Sequence, residues 1–555
     1  MTDTGGFADR VFLGHVITMD DARPTAEAVA VRGERIVAVG SLADIAPLIG
    51  PRTITTELGS ATLMPGFVEA HGHPLTEAIF LGESVVDVRP VVAPSADEVM
   101  RTLVEAIASA PPKGVYANGW DPLLQVGLPT PTRAWLNELS PTLPLAILHN
   151  SGHSAYFNDA AAAAVGVTRD TPDPLGASLG SEADGNLDGS LRETAAVEMI
   201  FGPALEPTPR GFIKALGAES RRLNAVGITT VGELGYSPAG APALAAAREA
   251  GALTVRLRLY EMSTPTRSST ASPGDGDALV RQIGIKLWAD GSPWVGNIAT
   301  SFPYLDTPAT RAMGLEPGHR GHANYTPTQI AEISRAYFTA GWQLACHVHG
   351  DDAIDDVLDA WETMLREHPR DDHRLRLEHV GSMTAVQFAR AAALGVTTSI
   401  FIDHLYYWGD VLVDDLFGPD HGAHWAAAGS AAASGVRFSF HNDGQVTPAE
   451  PLRNIEIAAT RRSRSGHVLA PAERISVAQA LRAETIDSAY QLFSDHEVGS
   501  ITAGKFADFV VLARSPLDSW TMDAQHEIPA AGSIAGIPVL ETVLGGVTVY
   551  RAAAH

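Results

Sequence analysis

The sequence contains one cysteine, Cys346, so no disulfide can form within the chain and a reducing compartment, by default the cytoplasm, is its natural home. It has no run of about 18 apolar residues without polar interruption, which argues against a membrane span. Basic residues are scarce: 39 Lys and Arg stand against 64 Asp and Glu, a formal net charge of -25. Nucleic-acid binding needs a basic face, so no such partner is expected. The acidity serves first to keep the chain in solution, and second to favour cationic molecules at long range. Met1–Arg10 includes acidic residues and lacks the basic-then-apolar order of a secretory signal. There is no G-x-S-x-G elbow, P-loop, dinucleotide fingerprint or H-E-x-x-H motif, and no repeat at a fixed period.

What is present is a large apolar interior. Of 555 residues, 45% are hydrophobic and 19% charged, ordinary values for a globular chain. Length scaling alone allows roughly two to four domains. The N-terminal part reads as short strands, Val11–Ile17 and a hairpin whose arms, Ala28–Val31 and Arg35–Val39, flank Arg32-Gly33-Glu34. The C-terminal part has the same texture, with Phe509–Leu512 as a buried strand and Gly545-Gly546 joining Thr542–Leu544 to Val547–Tyr550. Both ends, residues 1–60 and 490–555, are therefore expected to build one small β-sandwich domain around an inserted middle. Residues 61–489 alternate strand-like runs, such as Thr254–Leu259, Ile283–Trp288, Gln343–His347, Arg374–His379 and Val436–Phe440, with helical patterns at Pro242–Ala250, Pro327–Ala340 and Asp352–Arg366. That alternation predicts parallel βαβ units in an α/β fold, a (β/α)8 TIM-like barrel. Residues 84–205 break the rhythm with turn-rich pieces and are expected to form a large insertion near the active-site face. One piece, Asp184–Gly189, lacks the ligand spacing of a calcium loop and reads as a surface turn.

The chemistry-bearing residues fall at the predicted strand ends. In Leu63–Pro74, His71 and His73 are two apart on a strand, so both imidazoles project from one face and can reach one ion. Gly72 between them leaves room beside that ion. A pair of ordinary polar histidines is the plainer reading; their position at the opening of the barrel region favours ligands. Lys286 lies inside the apolar run Gly284–Trp288, where an isolated ammonium is costly. Desolvation lowers its pKa, and a neutral amine can add carbon dioxide to give a carbamate, an anionic ligand able to bridge two ions. Pairing with an acidic neighbour such as Asp290 is the equal alternative. Further strand ends supply His347 and His349, then His379, then Asp443. In a parallel barrel such ends converge on one mouth, and packing alone does not account for His, Lys and Asp at several of them.

Taken in order, these segments resemble the metal-dependent amidohydrolase superfamily, and within it the large branch that includes N-substituted formamide deformylases. The likeness spans nearly the whole chain: Pro65-Gly66-Phe67 with His71 and His73, Lys286 to Gly291, His347-x-x-Gly350-Asp351, Glu378-His379, His441-Asn442-Asp443 and the closing Gly504–Asp508. The resemblance implies a divalent metal centre, zinc, with one or two ions per chain. In it His71 and His73 bind the more buried ion, carboxylated Lys286 bridges, and His347 and His379 bind the second. It also implies Asp443 as the base that takes a proton from metal-activated water and delivers it to the leaving nitrogen, roles that suit both groups. In the insertion it puts Trp120, His153 and Asn158 near the substrate, with His153 a hydrogen-bond partner of its carbonyl. The implied activity is hydrolysis of a C–N bond, amide, N-acyl or N-formyl, in a small molecule.

Some positions depart from that pattern. His349 stands where relatives often have a smaller or neutral residue, and is open as a ligand, a substrate contact or a spectator. Glu69 replaces a common aspartate. His441 reads as an orienting or lining residue, Cys346 as a buried thiol on the opposite face of its strand, and Trp288 and Trp294 as core or pocket wall. Two other readings keep the scaffold: deamination or cyclic-amide opening at the same metal site, and a catalytically silent binding or regulatory protein. A homodimer is a common assembly for such a chain.

Overall fold

The structure, a computed structural model, describes residues 6–174, 176–264, 266–517 and 532–553. Its central sheet has eight parallel strands in chain order: β1 (Phe67–Gly72), β2 (Ile228–Tyr236), β3 (Arg256–Met262), β4 (Val280–Trp288), β5 (Gln343–Val348), β6 (Arg376–His379), β7 (Thr397–Ile400) and β8 (Phe438–Phe440). β1, β5 and β6 are buried along their whole length, as strands covered on both faces must be. The ring is nearly closed. Between β8 and β1, the Asn442 N–H donates to Glu69 Oε1 at 3.0 Å, and the Val68 N–H to the Glu484 carbonyl at 2.9 Å. The α/β barrel expected from the alternation of runs is the fold observed.

The helices start where local chemistry starts them. Pro327–Thr339 has Thr326 as its cap, proline at its first position, and Gln329 returning a hydrogen bond to the cap. In Asp351–Glu367, Ile354, Val357, Leu358, Trp361 and Met364 recur at helical spacing, and all are buried in the main apolar cluster with Leu344 and Leu377.

Strands from both chain ends share one seven-stranded sheet, in the order Val547–Arg551, Val539–Leu544, Phe509–Leu512, Ile54–Pro65, Arg10–Ile17, Thr25–Arg32, Arg35–Gly40. Register shifts after Leu13 bend it. Ile36 from one edge and Val543 from near the other meet Phe12, Leu63 and Phe509 in a single buried cluster, so the sheet folds over its own core. Gly545 and Gly546 make the last hairpin turn at φ 54° and 79°, values that favour glycine.

This sheet is fastened to the barrel by a buried ion pair. Arg256, the first residue of β3, meets Asp508 through Nε at 2.6 Å and Nη2 at 3.0 Å. Removing one partner strands the other charge, at about 3–5 kcal/mol. Asp508→Ala is expected to lower the unfolding free energy obtained from urea titration by that amount; a loss no larger than the about 1 kcal/mol of an exposed pair would refute the fastening role.

Glu541 in the same sheet gives a pH signature. It accepts from Arg10 Nη2 at 2.9 and 3.0 Å, from Arg551 Nη2 at 3.0 Å and from Thr548. Burial works against its charge, yet the Thr548 and Arg10 donors hold its carboxyl below the usual range. The folded pKa thus lies below the unfolded value of about 4.3. The resulting stability is present above that value and is lost as pH falls through the folded one. Thermal melts of Glu541→Gln should lie below those of the parent chain at neutral pH and converge with them in acid. A gap that persists in acid would contradict this.

Residues 86–192 contain a third sheet of six strands, in the order Ser178–Ser181, Leu187–Arg192, Ser154–Phe157, Leu145–His149, Val115–Trp120, Val86–Asp87. Alternate residues feed two apolar clusters, Tyr116, Ala146 and Leu148 on one side and Val115, Ala117 and Ile147 on the other. Asp184 accepts from Asn186 Nδ2 at 2.8 Å; the surface turn expected there joins the paired strands Ser178–Ser181 and Leu187–Arg192. Among the described residues no helix is long and apolar enough to cross a membrane.

Candidate metal centre

The strand ends bring the predicted residues together. His71 lies near the end of β1, Lys286 near the end of β4, His347 lies in β5 with His349 just beyond it, His379 ends β6 and Asp443 follows β8. Lys286 Nζ is 3.2 Å from His71 Nε2, and Asp443 Oδ1 is 3.1 Å from His73 Nε2 and 3.5 Å from His71 Nε2. The His379 ring centroid is 4.6 Å from that of His71 and 4.4 Å from that of His347. Three groups of potential ligand atoms lie within 4.8 Å of one another: His71, His379 and His441; His347, His349 and His379; His71, His73 and Asp443. Asp443 and His379 have φ of 54° and 70°, left-handed values that are unusual for such residues and concentrate backbone strain at this centre.

The imidazoles are oriented from behind. His71 Nδ1 hydrogen-bonds Glu378 Oε2 at 2.7 Å, and Glu378 is itself paired with Arg376, Nε to Oε1, at 2.8 Å. His379 Nδ1 meets His441 Nε2 at 3.0 Å, and His441 Nδ1 meets Ser399 Oγ at 2.9 Å. His347 Nε2 reaches the Gly291 carbonyl at 2.9 Å. These contacts leave His347 Nδ1 and His379 Nε2, and also His349 Nδ1, buried without a hydrogen-bond partner. Burial pushes His71, His347, His349 and His379 well below the usual histidine range, so they are neutral and keep lone pairs. Buried, unpartnered, neutral imidazoles are the donor set a divalent cation takes.

The remaining titratable groups are shifted by burial and by one another. Burial pulls the Lys286 amine down to about 8, although Glu378 and Asp443 oppose it. His73 is penalised by burial, but the Asp443 and Glu233 carboxylates carry it up to about 9. Burial raises Asp443, and the His73 contact outweighs it to hold the carboxyl below its usual range. Asp290 is not the counter-ion of Lys286: its carboxylate accepts the His349 and Gly350 backbone N–H groups at 2.9 and 2.8 Å.

The predicted substrate contacts divide. His153 reaches the centre, its ring centroid 4.9 Å from that of His347 and its Nδ1 2.7 Å from Glu193 Oε2. Trp120 instead packs in a cluster of the third sheet, 5.8 Å from Trp135. Asn158 caps helix Asp159–Val165 and donates to the Ser140 and Leu143 carbonyls at 2.8 and 2.9 Å, so its amide is fully engaged in holding loops. Gly72 makes room for the barrel wall: a Cβ there would meet Val231 Cγ1 at 3.2 Å. Trp288 is the wall expected, 4.6 Å from the His347 ring, and Cys346 is a fully buried thiol that burial pushes far up. Glu378, Glu233 and Arg376 are supporting residues to which the sequence reading assigned no role, although Glu378 stood in one of its motifs. A charged pair alternating with Leu375 and Leu377 in a strand-like segment was the available signal, because such charges, once buried, must find partners.

Residues 56–550 match the model of the Amidohydrolase family. An N-substituted formamide deformylase of Arthrobacter pascens is 28% identical, covering 97% of this chain and 97% of its own length. Protein LONG AFTER FAR-RED 3 of Arabidopsis thaliana is 28% identical, covering 97% of this chain and 90% of its own. Among solved structures, an uncharacterized metal-dependent hydrolase from Pyrococcus horikoshii has a TM-score of 0.72 at 19% identity, covering 92% of this chain and 98% of its own, a likeness of fold. With a match over residues 56–550 and buried imidazoles able to hold a cation at the barrel mouth, the chain belongs to the amidohydrolase family.

Proposed function

We propose that this chain hydrolyses a C–N bond, in an amide, N-acyl or N-formyl group of a small molecule, at a divalent metal centre. The observation that carries this reading is the trio of buried, unpartnered nitrogens, His347 Nδ1, His349 Nδ1 and His379 Nε2, beside Lys286 and Asp443. His71, His73, Lys286, His347 and His379 hold one or two zinc ions in this reading, and His349 is a further donor to the second group. The lowering of the Lys286 pKa to about 8 enlarges the neutral fraction of the amine, the form that takes up carbon dioxide as a carbamate with release of a proton. The chemistry supplied by a bound divalent ion is polarisation of the scissile carbonyl and a lowered pKa for water.

The chain's own residues do the rest. Asp443, held ionised beside His73, accepts the proton of the attacking water and returns it to the leaving nitrogen. Glu378 fixes the His71 ring so that Nε2 faces Lys286. His153 is the residue we assign to the substrate carbonyl, its ring oriented by the Nδ1 contact with Glu193 Oε2. The test is metal analysis with assays of the parent, His71→Ala and Asp443→Asn over N-acyl and N-formyl compounds. Free amine plus carboxylate, lost in both variants, supports the reading. Ammonia as product, or turnover retained in both variants, overturns it.

A further inference from the structure

A cavity beside the centre narrows the substrate. Its volume is about 330 Å³, at the lower end of small-molecule pockets, and it opens between the third-sheet segment and the barrel. Trp288 joins it to the chemistry: that ring lines the cavity, lies 4.6 Å from the His347 ring and has Lys286 Nζ 4.7 Å from its centroid. Met262, Tyr325 and Ile333 supply further apolar wall, and Ala195, exposed near the start of helix Thr194–Leu205, also lines it.

The two charged groups among its described lining residues are already paired. Glu193 is held by His153 Nδ1 at 2.7 Å and Asn297 Nδ2 at 3.0 Å, and Arg267 by Glu332 at 3.1 Å. One end of each lining amide is engaged as well: Asn324 Nδ2 donates to the Asp290 carbonyl at 2.9 Å, and Gln329 Oε1 accepts the Thr326 N–H at 2.9 Å. A charged substituent entering here would shed water and meet no free counter-charge, whereas an apolar one would cover Trp288, Met262 and Ile333.

We propose that this cavity receives an uncharged, apolar, ring-sized substituent of the substrate, with the scissile bond on the His347 side of Trp288. The proposal rests on the hydrolytic reading for the reaction, but occupancy of the cavity can be measured without turnover. The metal-loaded enzyme is assayed with N-cyclohexylacetamide, N-methylcyclohexanecarboxamide, N-methylacetamide, N-acetylglycine and N-acetylethylenediamine. At least one cyclohexyl amide should have kcat/KM at least about tenfold above the carboxylate- and ammonium-bearing amides. Ala195→Phe, at an exposed site, and Met262→Phe, at the end of β3, should each cut the cyclohexyl-to-methyl ratio by a similar factor. A ratio within twofold of the parent in both variants, or preference for a charged amide, overturns the proposal. If none of these five amides is cleaved, calorimetry decides the cavity independently of the hydrolytic reading: binding of either cyclohexyl amide weakened about tenfold by Ala195→Phe supports it, and unaltered or absent binding overturns it.

Discussion

Replacing Asp443 with asparagine is expected to lower kcat by about 10²–10⁴-fold, the contribution of a positioned proton-transfer group, while the melting temperature stays close to that of the parent. Asparagine keeps the shape and accepts the left-handed backbone, φ 54°, but it cannot take up the proton. Alanine would add backbone strain to the chemical loss and blur the result. A second signature separates a lost base from general damage. His73 rises to about 9 through Asp443 and Glu233, so with Asp443 neutral it should titrate lower in the metal-free protein. Rapid-quench turnover and a histidine NMR titration read the two effects. A kcat within tenfold of the parent would remove Asp443 from its role.

His379→Asn should produce the other large loss. His379 belongs to two of the three potential ligand groups, and its Nε2 is one of the unpartnered nitrogens. Asparagine again suits the backbone, φ 70°, so what is lost is the imidazole. Metal retained after dialysis should fall by at least half, and kcat/KM by about a thousandfold, as several kcal/mol of charge stabilisation disappear at about 1.4 kcal/mol per decade. His153→Asn supplies the contrast: turnover falls while metal content holds, because His153 touches the His347 ring and belongs to none of the three groups. Full metal content in His379→Asn would overturn the ligand assignment.

How much of this was legible before the fold was known differs from residue to residue. His71, Lys286, His347, His379 and Asp443 were legible because parallel barrels gather strand ends and these residue types seldom sit there for packing. Glu378 and Glu233 were not, because strand alternation tells which face a side chain takes but not which residue faces it across a barrel. Asn158 shows the reverse failure. Its place beside His153 drew attention to the substrate, while Asn158-Asp159 ahead of an alanine run was a helix-cap pattern, and the cap is what it forms. The shared terminal sheet was legible as strands at both ends. Its order, with Phe509–Leu512 seated beside Ile54–Pro65, depends on pairings hundreds of positions apart that no local pattern encodes.

That order has a consequence for how the chain is made. Ile54–Pro65 leads directly into the strand bearing His71, yet its partner on one flank leaves the ribosome more than four hundred residues later. Until then the nascent protein carries an open row of amide and carbonyl groups beside a half-finished core, the kind of edge that recruits other chains. Messages stopped ahead of Phe509 should therefore yield sedimenting aggregates, and truncated chains that stay monomeric in the supernatant would show that the edge is guarded some other way.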